Sequence, residues 1–473
     1  MRTEKDFLGE KEVNKEAYWG IHTQRALDNF PLSGQRVHPQ LIKALALVKV
    51  AAAQANLELG YLEEEKALAI IEAGMEIAAG KLLDQFPLDA LQGGAGTSTN
   101  MNVNEVLANR ATELLGGQKG TYLVDPCNDV NMHQSTNDVF PTALRIAAIQ
   151  LLLPLSQAMA ELQNTLQEKE AEFAGIVKPG RTQLQDAVPI TLGQEFSAYA
   201  QAIARDRWRL YKVEERLRQV NLGGTAVGTG INTPKEYIYL VIEKLRQYTS
   251  LGLARAENMI DLTQNADVFV EVSGLLKAAA VNLGKIASDL RLLSSGPHTG
   301  LGEIQLPEVQ AGSSIMPGKV NPVIPEAVNQ AAFQVIAHDL AVTLACQSGQ
   351  LELNAFLPLV AHHLLHAIEL LTNSAQVLAE KCVRGIRANK DHCQLLVENS
   401  LIMAPALLPY LGYEKTAAIV REARQKNIPI RSALLESQLM TEEEAERLLD
   451  YRELTRPGVA YHKLKMKSLG GEV

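Results

Sequence analysis

Apolar residues recur at helical spacing along most of this chain. From Pro39, the residues Leu41, Ala44, Leu45, Leu47, Val48 and Ala51 fall three and four apart, and Glu63 to Leu83 repeats the pattern. Asn102 to Leu115 returns to it and stops at Gly116-Gly117. Longer segments follow. Pro141 opens one that runs to about Phe173, a favoured place for proline, and Pro154 is expected to kink it. Gly193 to Val220, Asn265 to Leu293, Val323 to Gln347 and Asn354 to about Ala379 complete the set, with Pro325 and Pro358 in the first turns of the last two. Several helices near or beyond 25 residues, joined by short connections, predict a bundle rather than a sheet protein. Residues 1–35 are polar and broken. The C-terminal stretch changes to shorter helices, where Thr441-Glu442-Glu443-Glu444 reads as a capped start. The expected fold class is mainly α, with an N-terminal helical domain over 1–140, a central long-helix bundle over 141–393 and a small C-terminal helical domain over 394–473.

Composition narrows the function classes. Hydrophobic residues make up 47% of the chain and aromatic residues only 5%, so the core is built from Leu, Ala, Val and Ile, which suits closely packed helices. The net charge of −9 and the lack of a long basic run argue against nucleic acid as a partner. The first residues lack the apolar core of a signal peptide, and no uninterrupted apolar run approaches the length of a membrane span, so a soluble protein is expected. Cys127, Cys346, Cys382 and Cys393 stand singly, with no Cys-x-x-Cys pair; this fits a reducing cytoplasm and gives no zinc or redox motif.

Four polar stretches interrupt the helical text: 93–100, 134–138, 180–186 and 312–321. The last reads Gly312-Ser313-Ser314-Ile315-Met316-Pro317-Gly318-Lys319-Val320-Asn321, followed by Pro322. Its glycines and prolines demand a loop, and its two hydroxyls, one cation and one amide can hold an anion and move a proton. It is not a phosphate-binding P-loop, because five residues separate the glycines and Val320 follows the lysine. Gln92-Gly93-Gly94-Ala95-Gly96-Thr97-Ser98-Thr99-Asn100, Gln134-Ser135-Thr136-Asn137-Asp138 and Gly180-Arg181-Thr182-Gln183-Leu184-Gln185-Asp186 supply further hydroxyls and amides. Ser135 to Asp138 is also what a helix cap looks like.

Together, and in this order, the four blocks resemble the fumarase/aspartase superfamily of lyases, over about residues 5 to 470. The resemblance implies elimination from a small dicarboxylate to give fumarate. Removing a proton beside a carboxylate makes an enediolate, which donors arranged as an oxyanion hole stabilise by roughly 3 kcal/mol each. By similarity, Thr97, Ser135, Thr136 and Ser314 serve that carboxylate, while Lys319, Asn321 and Thr182 hold the other. Asn137 and Gln183 match positions near the leaving group, and Ser313 matches the proton-abstracting base. A serine base needs activation, from Lys319 and the turn's own N–H groups, and a loop that closes over the site.

Gln183 is the discriminating position. Fumarases usually have histidine there, and hydroxide, a poor leaving group, needs an acid. An amine leaves already protonated, so no proton donor is required and a neutral amide can simply hold its N–H hydrogens. Gly96-Thr97-Ser98-Thr99, Asn232-Thr233-Pro234-Lys235-Glu236-Tyr237 and Asn321-Pro322-Val323-Ile324-Pro325-Glu326 also resemble the aspartase branch, which releases ammonia from aspartate. The rivals are fumarase activity and an inactive scaffold of the same fold. The resemblance implies no required cofactor. A divalent cation such as Mg activates some aspartases, but nothing in the sequence reads as a built site for one, and no metal ligand is assigned. His362 and His366, four apart on one helix with Glu369 a turn further on, read as helix-face residues, and His133 as structural. The resemblance also implies a homotetramer. Helices near 25 residues are almost 40 Å long at about 1.5 Å per residue. Loops at their opposite ends meet only if neighbouring subunits share a site, and the resemblance implies Thr97, Ser135, Thr136 and Asn137 from one subunit, Thr182 and Gln183 from a second, and Ser313, Lys319 and Asn321 from a third.

Overall fold

A computed structural model describes residues 1–459. In chain order they form strands β1 (Arg2–Asp6) and β2 (Gly9–Val13), helices α1 (Ile21–Asn29), α2 (Pro39–Glu58), α3 (Glu64–Ala78), α4 (Thr97–Leu114) and α5 (Thr136–Glu172), and strands β3 (Val177–Thr182) and β4 (Gln185–Thr191). Then come α6 (Leu192–Leu217), α7 (Lys235–Thr249), α8 (Met259–Gln264), α9 (Asp267–Leu293), α10 (Val323–Gln347) and α11 (Leu357–Lys381). Four shorter helices finish the described chain: α12 (Lys390–Glu398), α13 (Leu408–Lys426), α14 (Ile430–Glu436) and α15 (Glu442–Leu448). The mainly helical class and the five long helices stand as the sequence pattern predicts.

Contacts divide the described chain into two compact units, one of residues 1–158, 206–281 and 331–373, the other of 159–205, 282–330 and the described residues from 374 onward. In the first unit α2 is central. It buries residues on every side, including six alanines between Ala44 and Ala55, and packs on α3, α4 and α7. A helix that is apolar all round belongs inside a protein. Small residues allow close approach: a Cβ on Gly74 of α3 would lie 2.3 Å from Val50. An 18-residue window of α5 has a mean hydropathy of 1.5, enough by length and composition for a membrane span, but 72% of it is buried within the protein, as in a core helix.

The second unit carries the β3–β4 hairpin and the short C-terminal helices. Those helices share a core of Val397, Leu407, Ile419, Ile430, Leu434 and Leu448, which Val177 of β3 joins. Thr441 and Glu444 form the expected capping box of α15.

Three local expectations change. Residues 1–35 are not merely broken: they hold the β1–β2 hairpin and α1. The strands are mostly charged, so no apolar alternation marks them; main-chain pairing and the paired contacts of Arg25 with Asp6, both 2.8 Å, hold them. α5 starts at Thr136, not at Pro141, because Ser135 caps it. Pro141 then leaves the Asn137 carbonyl without its helical donor, and Asn221 Nδ2 supplies one at 3.1 Å. The stretch 180–186 is the end of an antiparallel hairpin rather than a loop between helices.

Candidate active site

In the first unit, the opening turns of α4 and α5 lie together. Gly96 takes a left-handed conformation (φ 92°) before Thr97, and a Cβ there would stand 2.3 Å from the Phe140 ring of α5. Only glycine permits that approach. The block 97–100 is thus the first turn of α4, not the loop ahead of it. Asn100 Nδ2 donates to Thr136 Oγ1 at 3.1 Å, tying the two turns. Ser135 Oγ accepts from the Asn137 N–H at 3.3 Å, and the Ser135 N–H donates to Asp138 Oδ1 at 3.0 Å. The capping role is therefore real, and it aims the helix start and its free N–H groups at the site, a suitable setting for a carboxylate. Asn137 Nδ2 donates to the Ala226 carbonyl at 2.7 Å.

Behind these turns lies a buried network that the sequence reading missed. Lys49, fully buried in α2, donates to Asn131 Oδ1 and Gln134 Oε1, both at 2.9 Å. Asn131 Oδ1 also accepts from Asn100 and Asn104, at 3.3 and 3.1 Å. Burial pulls the Lys49 ammonium down to about 7, against the pull of Asp138. Asp138 accepts the N–H groups of Gly223 and Thr225 at 3.0 and 2.9 Å, yet burial pushes its carboxyl up to about 6. A lysine amid Val48, Val50 and Ala51 was the available signal, since an unpaired charge does not enter a core without purpose. His133 holds Asn56 Oδ1 at 2.7 Å and packs edge-on to Tyr61 and Tyr237, a structural placement.

In the second unit, Ser313, Ser314, Lys319 and Asn321 share one loop. The Gly312 N–H donates to the Lys319 carbonyl at 2.8 Å, and Asn321 Nδ2 to the Gly312 carbonyl at 2.6 Å, which closes the loop at its neck. A Cβ on Gly312 would stand 2.6 Å from the Lys319 oxygen. Ser313 Oγ accepts from the N–H groups of Ile315 and Met316 at 3.2 and 2.9 Å. Two donors on a hydroxyl oxygen favour its ionised form. Lys319 and Asn321, with Arg291, Ser295 and Gln305, line an open cavity of about 620 Å³.

Thr182 and Gln183 occupy the exposed tip of the β3–β4 hairpin, where Gln183 and Leu184 both have positive φ, 56° and 60°. Such a two-residue turn matches the strand twist. The hairpin is anchored by charge: Glu303, fully buried, meets Arg181 at 2.8 Å and Lys178 at 3.0 Å, and Lys178 also meets Glu195 at 3.0 Å. The predicted site residues therefore form three groups: the α4–α5 turns, the hairpin tip and the loop.

Helical architecture, polar turns at helix starts and a serine–lysine loop are the features on which the resemblance to the fumarate-forming lyases rests. Residues 9–337 match the family described as Lyase, and residues 403–456 match the Fumarase C C-terminus; the chain belongs to this family. It is 49% identical to an aspartate ammonia-lyase from a Bacillus species, over 98% of this chain and 99% of that one. Among solved structures, it superposes on a fumarate lyase:delta crystallin from Brucella melitensis bound to cobalt, with a TM-score of 0.93 and 48% identity, covering 96% of this chain and 100% of the other. A class II fumarase from Schistosoma mansoni gives the same TM-score of 0.93 at 35% identity, covering 96% of this chain and 99% of that one.

Proposed function

We propose that this protein is an aspartate ammonia-lyase, a carbon–nitrogen lyase that reversibly eliminates ammonia from L-aspartate to give fumarate. Full-length similarity of about half the residues to an enzyme of that name supports the reading, while the class II fumarase stands further away. The observation that carries the choice of substrate is Gln183 at the hairpin tip. A neutral amide can hold the hydrogens of an amine but cannot protonate a departing hydroxide.

In this reading Ser313 Oγ takes the proton from the carbon beside the β-carboxylate, its oxygen steadied by the Ile315 and Met316 N–H groups. Electrons move into that carboxylate as an enediolate, and Thr97, Ser135, Thr136 and Ser314 donate to its oxygens. Lys319, Asn321 and Thr182 fix the other carboxylate. The C–N bond then breaks and ammonia leaves beside Asn137 and Gln183. No cofactor enters these steps.

The reading includes a cytoplasmic homotetramer with sites shared between subunits. Association of chains is supported by an apolar stripe that a single chain leaves uncovered on α10: Phe333, Leu340 and Leu344 are 65%, 61% and 50% exposed and recur on one face. Trp208 and Tyr211 on α6 are similarly open. Patches of this kind mark interaction surfaces. The test is absorbance in the fumarate band with aspartate and malate side by side. Fumarate is expected from aspartate; malate turned over with equal or higher kcat/KM would overturn the assignment.

A further inference from the structure

The first unit places a second group of chemically active side chains at the start of α2, where it meets α11. His38 is the N-cap of α2 and is nearly buried. Its Nε2 lies 3.6 Å from Glu369 Oε2, and His366 Nδ1 lies 3.7 Å from the same oxygen. The three ligand atoms fall within 4.8 Å of one another. His362 stands one turn before His366, with the two rings 4.7 Å apart, and its Nδ1 is buried without a hydrogen-bond partner. Helix spacing explains only the pair on α11; the fold adds His38 from a position more than three hundred residues earlier in the chain.

We propose that His38, His366 and Glu369, with His362 as a further nitrogen donor, bind a divalent transition ion of the zinc class. Two or three imidazoles and one carboxylate are a nitrogen-rich donor set, suited to Zn, Co or Ni, whereas Mg and Ca take shells of oxygen. Donors around a zinc ion sit at about 2.0–2.1 Å, so the group must contract, and the half-exposed Glu369 side chain is free to move inward.

One feature sets the order of binding. His38 Nδ1 accepts the Gln40 N–H at 3.1 Å, so the neutral ring carries its proton on Nε2. To ligate through Nε2, the proton must pass to Nδ1 and the cap bond to Gln40 is given up. The ion is therefore first held by His366 and Glu369, and His38 closes the site. Closure joins α2 to α11 beside a small cavity lined by His38, His362, Gln92, Thr99 and Phe140. Gln92 Oε1 accepts from Thr99 Oγ1 at 2.8 Å, in the first turn of α4 that also carries Thr97. The ion thus acts as a clamp behind the Thr97 turn, not as a catalyst.

The experiment uses the full-length protein after chelator treatment, titrated with Zn and, separately, with Co. One ion per chain is expected, with a rise in thermal midpoint on adding Zn and visible d–d absorption of a nitrogen-ligated Co. His366→Ala and Glu369→Gln are each expected to weaken Zn binding about tenfold or more, while His363→Ala leaves it unchanged. Circular dichroism of each variant checks the fold. Absence of saturable Zn binding in the folded wild type, or equal affinity in wild type and both ligand variants, overturns the site.

Discussion

In the proposed mechanism Ser313 is the base, a hydroxyl that water alone would leave protonated, and the loop contributes two N–H donors to its oxygen. Ser313→Ala is expected to lower kcat by about 10²-fold or more, with KM for aspartate within a few-fold, because the hydroxyl acts only as the proton moves. A variant with near-normal turnover removes Ser313 as the base. Lys49 makes a different prediction, through stability. Its pKa of about 7 in the folded chain lies below the ordinary lysine value of 10.5, so between those limits the unfolded chain holds a proton that the folded lysine has lost. Stability then rises with pH across that window, and below it the full cost of burying the ammonium remains. Asp138 works in the opposite sense at lower pH: raised from 3.8 to about 6, it makes stability fall as pH rises between those values. Lys49→Met should abolish the alkaline rise, so the thermal midpoint of wild type minus variant grows from about pH 7 to about pH 9.5. A difference that stays flat counts against a buried, proton-poor lysine. At this scale the sequence displayed the loop residues, which punctuation by glycine and proline makes visible. It showed Lys49 only as a charge amid apolar residues and Asn131 not at all, because their partners lie in other elements and leave no spacing to read.

Among elements, the β3–β4 hairpin shows why long helices were legible and short strands were not. Helical periodicity accumulates over many residues, and α9 and α10 lie within two residues of their expected bounds. The hairpin offers no such signal. Pro179, Gly180 and Pro189 interrupt its strands, and Pro179 pairs with Pro189 across them. Its turn is Gln183-Leu184, with none of the Asn-Gly chemistry that announces a two-residue connection. What holds it is the ion group around Glu303, assembled from residues more than one hundred positions apart. Glu303→Ala would leave Lys178 buried beside one remaining carboxylate and Arg181 without its partner. A loss of about 3–5 kcal/mol is expected for breaking such a buried pair, seen as a lower denaturation midpoint. Because Thr182 and Gln183 ride on this hairpin, KM for aspartate should rise in the same variant. Unchanged stability and KM together would show that the hairpin is placed by its backbone and apolar contacts alone.

The whole molecule poses a question that one chain does not answer by itself, because the site residues fall into three groups on different elements. Thr97, Ser135, Thr136 and Asn137 belong to one compact unit, whereas the hairpin tip and the Ser313 loop belong to the other. The uncovered stripe on α10 gives the reason to expect further copies of the chain. Phe333, Leu340 and Leu344 would not remain in water if a neighbouring helix could cover them, and joining long helices from several copies also multiplies the loops available at each end. If each site takes its α4–α5 turns from one subunit and its serine loop from another, damage in the two places is separable. On the proposed mechanism Thr136→Ala removes a donor to the β-carboxylate and Ser313→Ala removes the base, so each pure variant should be nearly inactive. Unfolded together in equal amounts and refolded, the two chains assort at random, and about a quarter of the sites then draw both blocks from undamaged copies. Activity should return towards that fraction of wild type, while each variant refolded alone stays at its own low level. Native mass spectrometry establishes that the mixed product is tetrameric and contains both chains. A mixed tetramer with no more activity than its parents would place both blocks of every site on the same subunit.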